Sequence, residues 1–173
     1  MLWKMLSKVG IKMLKIQNII NCKLKIKDDS GVKDISVKEI INNRFIVLFG
    51  VPGAFTPTCS VKHLPSYIKN YKDIHSLGVD EIICVSVNDP FVMHAWGKFN
   101  NTQNKITMMS DVGGNLARAM GIEANFGPNL LNRMERFSLI IKENEIKSFI
   151  KDERGSYGKT SAENMISELK NIP

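Results

Sequence analysis

Cysteine is scarce in these 173 residues: Cys22, Cys59 and Cys84 are the only three. An odd count gives no paired disulfide framework, which excludes a small cross-linked scaffold and points to a reducing compartment. No run approaches the ~20 apolar residues of a membrane span, so no stable membrane association is expected. Histidine is equally sparse, and His63, His75 and His94 lack the Asn or Asp context of a hydrolase triad. Repeats, low-complexity tracts and linkers are missing too, so one domain large enough to bury a real core is expected. The charge balance of 24 − 17 = +7 comes without any nucleic-acid-binding motif, and no nucleic-acid partner is inferred. Much of the excess sits at the N-terminus, where Lys4, Lys8, Lys12 and Lys15 precede the first acid, Asp28. Lysines interrupt MLWKMLSKVGIKML before a secretory core can form. It has no arginine and only Ser7 as a hydroxyl residue, a weak match to an organellar presequence. Residues 1–12 are therefore expected to be an N-terminal extension, a poorly ordered tail or a targeting segment, ahead of a domain over 13–173. The expected location is cytoplasmic, with an organelle as the alternative if the extension is a presequence.

What is present alternates by period. FIVLFG (45–50) and EIICVSV (81–87) are short, β-branched and apolar at nearly every position, as central strands covered on both faces should be. Between them, residues 60–78 carry apolar side chains at helical spacing, with Gly78 as a stop and Pro65 predicting a kink. A second helix is expected over 88–101, capped by Asn88 or Asp89 with Pro90 in its first turn. A strand over 105–111, a short helix over 113–122, a hairpin turning at Glu143–Asn144 and a closing helix over 160–172 complete the pattern. A small N-terminal hairpin turning at Ser30–Gly31 precedes it. The order is that of an α/β fold with a mixed sheet.

The loop GVPGAFTPTC (50–59) then places Cys59 in a first helical turn at the carboxyl end of a central strand. Reactive groups in open α/β sheets favour that edge. Unpaired N–H groups and the helix dipole there stabilise an anion, so a thiol ionises more readily. Thr56 stands three residues earlier, where its hydroxyl can fold back toward the sulfur. Pro52 and Pro57 fix the loop, and its glycines permit close backbone approach. Without more context a lone cysteine is usually a buried, inert packing residue.

The spacing P-x-x-x-T-x-x-C (Pro52, Thr56, Cys59), within GVPGAFTPTCS and followed by KHLPSY, SVNDPFVMHAW (86–96) and RFSLII (136–141), resembles the peroxiredoxins. The similarity is to their peroxiredoxin 5 and plant-type II members, and it runs from about Met13 to Leu169. It implies a thioredoxin-like fold, a central mixed β-sheet flanked by helices. It also implies that Cys59 is a peroxidatic cysteine, reducing hydrogen peroxide and organic hydroperoxides and passing to a sulfenic acid. Arg136 aligns with the family's active-site arginine, with Arg133 as a nearby competitor. Thr56, Pro52 and backbone N–H groups near Thr58 and Cys59 complete the expected machinery. Gly53, Phe55, Thr58, His63 and Phe126 are expected at the substrate pocket, with packing or hydrogen bonding the simpler role for His63. No metal and no organic cofactor is needed.

A sulfenic acid must be returned to the thiol by another sulfur. TPTC has threonine where a C-x-x-C motif would start, which excludes a vicinal-dithiol oxidoreductase. Cys84 lies 25 residues after Cys59, the spacing seen in plant-type members and viewed there as resolving. Its place inside EIICVSV argues instead for a packing residue, and a disulfide needs Cα atoms within ~7 Å. Ser161 stands about where other relatives carry a resolving cysteine, and Cys22 matches no family role. The reading favoured is a one-cysteine cycle reduced from outside by glutathione, glutaredoxin or thioredoxin. The resemblance also implies a homodimer, for which FVMHAW and the 124–132 loop could supply a face; Phe126, Leu130 and Leu131 could instead wall the peroxide entrance. A peroxide sensor relaying oxidation to a protein partner is the alternative, sharing the chemistry of Cys59 but turning over slowly with small reductants.

Overall fold

The computed structural model describes residues 13–173; the expected extension, 1–12, lies outside the described residues. The described residues open with α1 (Ile16–Ile19), the hairpin β1 (Lys23–Asp28) and β2 (Gly31–Ser36), and α2 (Val37–Ile41). Next come β3 (Ile46–Gly50), a π-helical turn (Cys59–His63), α3 (Leu64–Ser76), β4 (Glu81–Ser86), α4 (Pro90–Phe99), β5 (Thr107–Ser110) and α5 (Asn115–Ala119). It ends with the short ribbon β6 (Glu123–Asn125) and β7 (Asn132–Met134), the hairpin β8 (Phe137–Lys142) and β9 (Glu145–Lys151), and α6 (Ala162–Leu169).

Seven strands form one mixed sheet in the order β2-β1-β5-β4-β3-β8-β9. The three central strands β5, β4 and β3 are parallel, while β8 and β1 join them antiparallel. Every residue of β3 is buried, and the strand's period of two sends its side chains alternately into two cores. Ile46 and Leu48 enter one core with Leu24, Ile83, Met109 and Leu139. Val47 and Phe49 enter the other with Tyr67, Ile74, Cys84 and Trp96, beneath α3, α4 and α6. Both faces are thus covered, as apolar strands with no polar alternation require.

Some elements match the sequence reading and others depart from it. The break expected at Pro65 is present: the 60–78 stretch is a short first segment followed by the main helix, because Pro65 has no N–H to continue an α-helical ladder. The chain instead makes a wider turn in which the Leu64 N–H bonds to the Cys59 carbonyl. The N-terminal hairpin turns at Asp29–Ser30, one residue earlier than expected, with Asp28 Oδ1 accepting the Ser30 N–H at 2.8 Å. The second hairpin turns where expected, and Glu143 and Asn144 both hold positive φ (55° and 58°), as a two-residue primed turn demands. Helix α2, absent from the sequence reading, carries a capping box: Ser36 Oγ accepts from the Glu39 N–H while Glu39 accepts from the Ser36 N–H. The 124–132 loop is the β6–β7 ribbon with its connecting turn.

Candidate active site

The site begins where β3 ends. A Cβ at Gly50 would lie 2.0 Å from the Phe137 ring, so only glycine lets the strand pass β8 here. The chain then turns through Pro52 and Gly53, where a Cβ would meet Thr56 Cγ2 at 2.9 Å and Arg133 Nη1 at 3.3 Å. The loop is pinned from both sides. The Ala54 N–H donates to Asn88 Oδ1 at 2.8 Å, and Asn88 is itself held by the Ser86 hydroxyl at 2.7 Å. Arg133 donates to the Leu130 carbonyl at 2.8 Å and the Pro52 carbonyl at 3.4 Å. Arg133 is therefore a brace of the loop rather than a ligand of the sulfur. Phe55 holds a left-handed φ of 63°, a strained setting for an aromatic residue. Its ring leans on Phe99 and Trp96.

Cys59 opens the π-helical turn and is only 1% exposed. Arg136, at the β7–β8 junction just ahead of β8 and itself buried, reaches it through one arm: Nη2 donates to Sγ at 3.4 Å. The other arm, Nη1, donates to His63 Nδ1 at 2.9 Å. His63 follows Cys59 by four residues, one turn on, so a single guanidinium spans both. His63 Nε2 lies 3.0 Å from the Thr160 carbonyl. A carbonyl can only accept and a guanidinium can only donate, so both partners require the same neutral ring, protonated on Nε2. Burial, reinforced by the Arg136 cation, pushes the imidazole pKa down to about 3.

Thr56 does not turn its hydroxyl to the sulfur as expected. Its O–H donates to the Gly53 carbonyl at 2.6 Å, closing the loop on itself and leaving oxygen lone pairs as acceptors. Above Cys59 opens a cavity of about 440 Å³ whose wall includes Pro52, Thr56, Thr58, Phe126, Leu130 and Tyr157. Of the expected pocket residues, Thr58 and Phe126 line it. Gly53 contributes a carbonyl to Thr56, Phe55 turns away to the aromatic side chains of α4, and His63 sits behind Arg136. Sequence reasoning missed Tyr157, whose ring lies 5.8 Å from the Arg136 guanidinium carbon, and the Thr160 carbonyl. A tyrosine in a glycine-flanked loop and a main-chain oxygen leave no pattern to find.

All three cysteines are free thiols. Cys84 is fully buried in β4, paired in register with Phe49 of β3. Burial, and after it charge on Cys59, pushes its thiol well above the usual range. Among the described residues no group of three His, Cys, Asp or Glu side chains is placed to hold a metal. The arrangement can hold negative charge on a secluded sulfur and on an oxygen beside it, aimed by a two-armed cation.

The redoxin family model matches residues 10–166. Peroxiredoxin-2D of Arabidopsis thaliana is 36% identical over 143 residues, covering 82% of this chain and 88% of the relative. The chain belongs to the peroxiredoxin family. A chloroplastic peroxiredoxin-2E-2 of Oryza sativa subsp. japonica shares 39% identity over 145 residues, 82% of this peroxiredoxin and 64% of the relative. In structure, reduced Prx3 of Vibrio vulnificus in complex with hydrogen peroxide superposes with a TM-score of 0.87 at 34% identity, covering 91% of this chain and 99% of that one. Peroxiredoxin 5 of Alvinella pompejana gives 0.78 at 30% identity, with 89% and 96% covered. This peroxiredoxin is a thiol-dependent peroxidase with the thioredoxin-like fold of its family.

Proposed function

We propose that this peroxiredoxin reduces hydrogen peroxide and organic hydroperoxides at Cys59. The observation carrying the reading is one contact: the Arg136 guanidinium, 3.4 Å from a sulfur that lies almost fully buried at a cavity wall. The Cys59 thiolate attacks one peroxide oxygen, forming the S–O bond as the O–O bond breaks. The sulfur gives up two electrons, and the departing oxygen takes from solvent the proton that the thiol released on ionising and leaves as water or alcohol. Arg136 holds the thiolate and then the charge growing on the departing oxygen. Thr56, its proton committed to Gly53, offers lone pairs that orient the peroxide O–H. Pro52 seals the wall without adding a competing donor. The apolar side chains of Phe126 and Leu130 suit the carbon tail of an organic hydroperoxide.

The sulfenic acid is resolved from outside. Cys84 is buried and held as the thiol, whereas the attacking species in exchange is a thiolate. Ser161 caps α6, its Oγ accepting the Asn164 N–H at 3.2 Å. Glutathione, glutaredoxin or thioredoxin therefore supplies the thiolate that displaces water from the sulfenic sulfur, and a second thiol releases Cys59. A homodimer covers the exposed aromatic face on which the Phe55 and Phe99 rings lie 5.9 Å apart. Among the described residues no helix is long and apolar enough to cross a membrane. A cytoplasmic location is the simplest reading, and the chloroplastic relative is consistent with the organellar alternative.

The test is peroxide consumption with a glutathione–glutaredoxin or thioredoxin supply, comparing wild type with Cys59→Ser. Turnover should vanish in the variant; equal turnover would remove Cys59 from the mechanism.

A further inference from the structure

Thr160 is fully buried, and Asp152 nearly so, yet neither touches the sulfur. Asp152 begins the loop that follows β9 and Thr160 closes it, and their bonds return to the site. The Asp152 carboxylate is fully engaged with that loop. Oδ1 accepts the Lys159 N–H at 2.8 Å, while Oδ2 accepts the Thr160 hydroxyl at 2.5 Å and the Thr160 N–H at 3.3 Å. The Thr160 carbonyl, so fixed, fills both its lone pairs: His63 Nε2–H at 3.0 Å and the Tyr67 hydroxyl at 3.0 Å. The Asp152 N–H in turn donates to the Arg136 carbonyl at 3.2 Å. The contacts close into a ring: Arg136 main chain, Asp152, Thr160, His63, Arg136 side chain.

We propose that Asp152 and Thr160 are positioning residues for peroxide reduction, holding His63 in the tautomer and orientation that aim Arg136 at Cys59. This rests on the reading of Cys59 and Arg136 as the reacting pair. Should the Thr160 carbonyl turn away, the Nε2–H would be buried without an acceptor. The ring could then move its proton to Nδ1, but that would point an N–H at the Arg136 N–H. Either way the guanidinium loses the acceptor that orients one arm, and the other arm leaves Sγ.

Thr160→Val removes the hydroxyl that reaches Asp152 and keeps the side chain's shape, Thr160→Ser keeps the hydroxyl, and Asp152→Asn halves the anchor's accepting capacity. Asp111→Asn is the control: this buried acid caps α5 through the Leu116 and Ala117 N–H groups at 2.9 Å, in the other core. Two readouts are needed, single-turnover oxidation of Cys59 by hydrogen peroxide and the ring ¹⁵N resonances of His63. Thr160→Val and Asp152→Asn should oxidise roughly 10-fold or more slowly and lose the single Nε2–H signature. Thr160→Ser should keep both, and Asp111→Asn should lower the melting temperature while oxidising at the wild-type rate. The wild-type ring signature and rate in both Thr160→Val and Asp152→Asn would overturn the assignment. So would a rate that falls in step with melting temperature across all four variants, Asp111→Asn included. A wild type that shows the ring signature but does not react with peroxide would instead overturn the reading of Cys59 and the positioning role with it.

Discussion

Replacing Arg136 with lysine isolates geometry from charge. The guanidinium makes two fixed contacts, 3.4 Å to Cys59 Sγ and 2.9 Å to His63 Nδ1. An ammonium keeps the charge but is a point donor on a flexible stem, able to satisfy one partner or hover between them. A hydrogen bond involving a charged group contributes about 1.5–3 kcal/mol. If the arm to sulfur is lost as the transition state forms, the second-order oxidation rate should fall roughly 10- to 150-fold, at about 1.4 kcal/mol per factor of ten. Arg136→Met, which removes the charge as well, should fall further. The assay is stopped-flow, single-turnover oxidation of the reduced protein at several peroxide concentrations, so that reductant chemistry never enters. Arg136→Lys within twofold of wild type would show that a nearby positive charge suffices and that the two-armed geometry has no role. Arg136→Met at the wild-type rate would remove the arginine from the chemistry altogether.

Cys84→Ala should leave steady-state turnover with glutathione unchanged, and mass spectrometry after one equivalent of peroxide should find no Cys59–Cys84 bridge in the wild type; a stoichiometric bridge would make Cys84 the resolving thiol. His63 is held near a pKa of 3 against an ordinary 6.5. The unfolded chain therefore binds the extra proton between those values, and stability falls by about 1.4 kcal/mol per unit as pH drops through that window. His63→Gln should lose this slope in denaturant titrations from pH 7 to 4. Gly50→Ala puts a methyl onto the Phe137 ring and should cost about 1–3 kcal/mol, read as a lower melting temperature. Phe99→Glu should convert the proposed homodimer to monomers in sedimentation runs, and an unchanged mass would move the interface elsewhere.

Most of the frame was legible because each element carried its own local signal. β3 and β4 announced themselves by unbroken apolar runs, the Glu143–Asn144 turn by residues that tolerate positive φ, and α4 by Asp89 and Pro90 at its start. The cap of α2 was present as S-x-x-E but flanks only five residues, too short a span for periodicity to register. At the site, Cys59 stood out as a thiol at a helix start after an apolar strand, while the roles of Pro52 and Arg136 came through the resemblance. The orientation of Thr56 was not, since sequence cannot say whether a hydroxyl points to a sulfur or to the Gly53 carbonyl. His63 was ambiguous for the same reason: its partners are 73 and 97 residues away, and one of them is a main-chain oxygen.

The choice of a histidine beside Arg136 has an electrostatic logic. A guanidinium must be oriented to be useful, and the usual orienting partner is a carboxylate, which matches its fork but cancels its charge. Among the described residues no carboxylate lies within salt-bridge distance of Arg136. His63 supplies an acceptor that is neutral and, being buried against the cation, stays neutral across physiological pH. It fixes one arm without drawing field away from the other. At buried side chains an unneutralised charge acts more strongly than at the surface. On the mechanism proposed above, that charge is left to act on the Cys59 sulfur, 3.4 Å from Nη2.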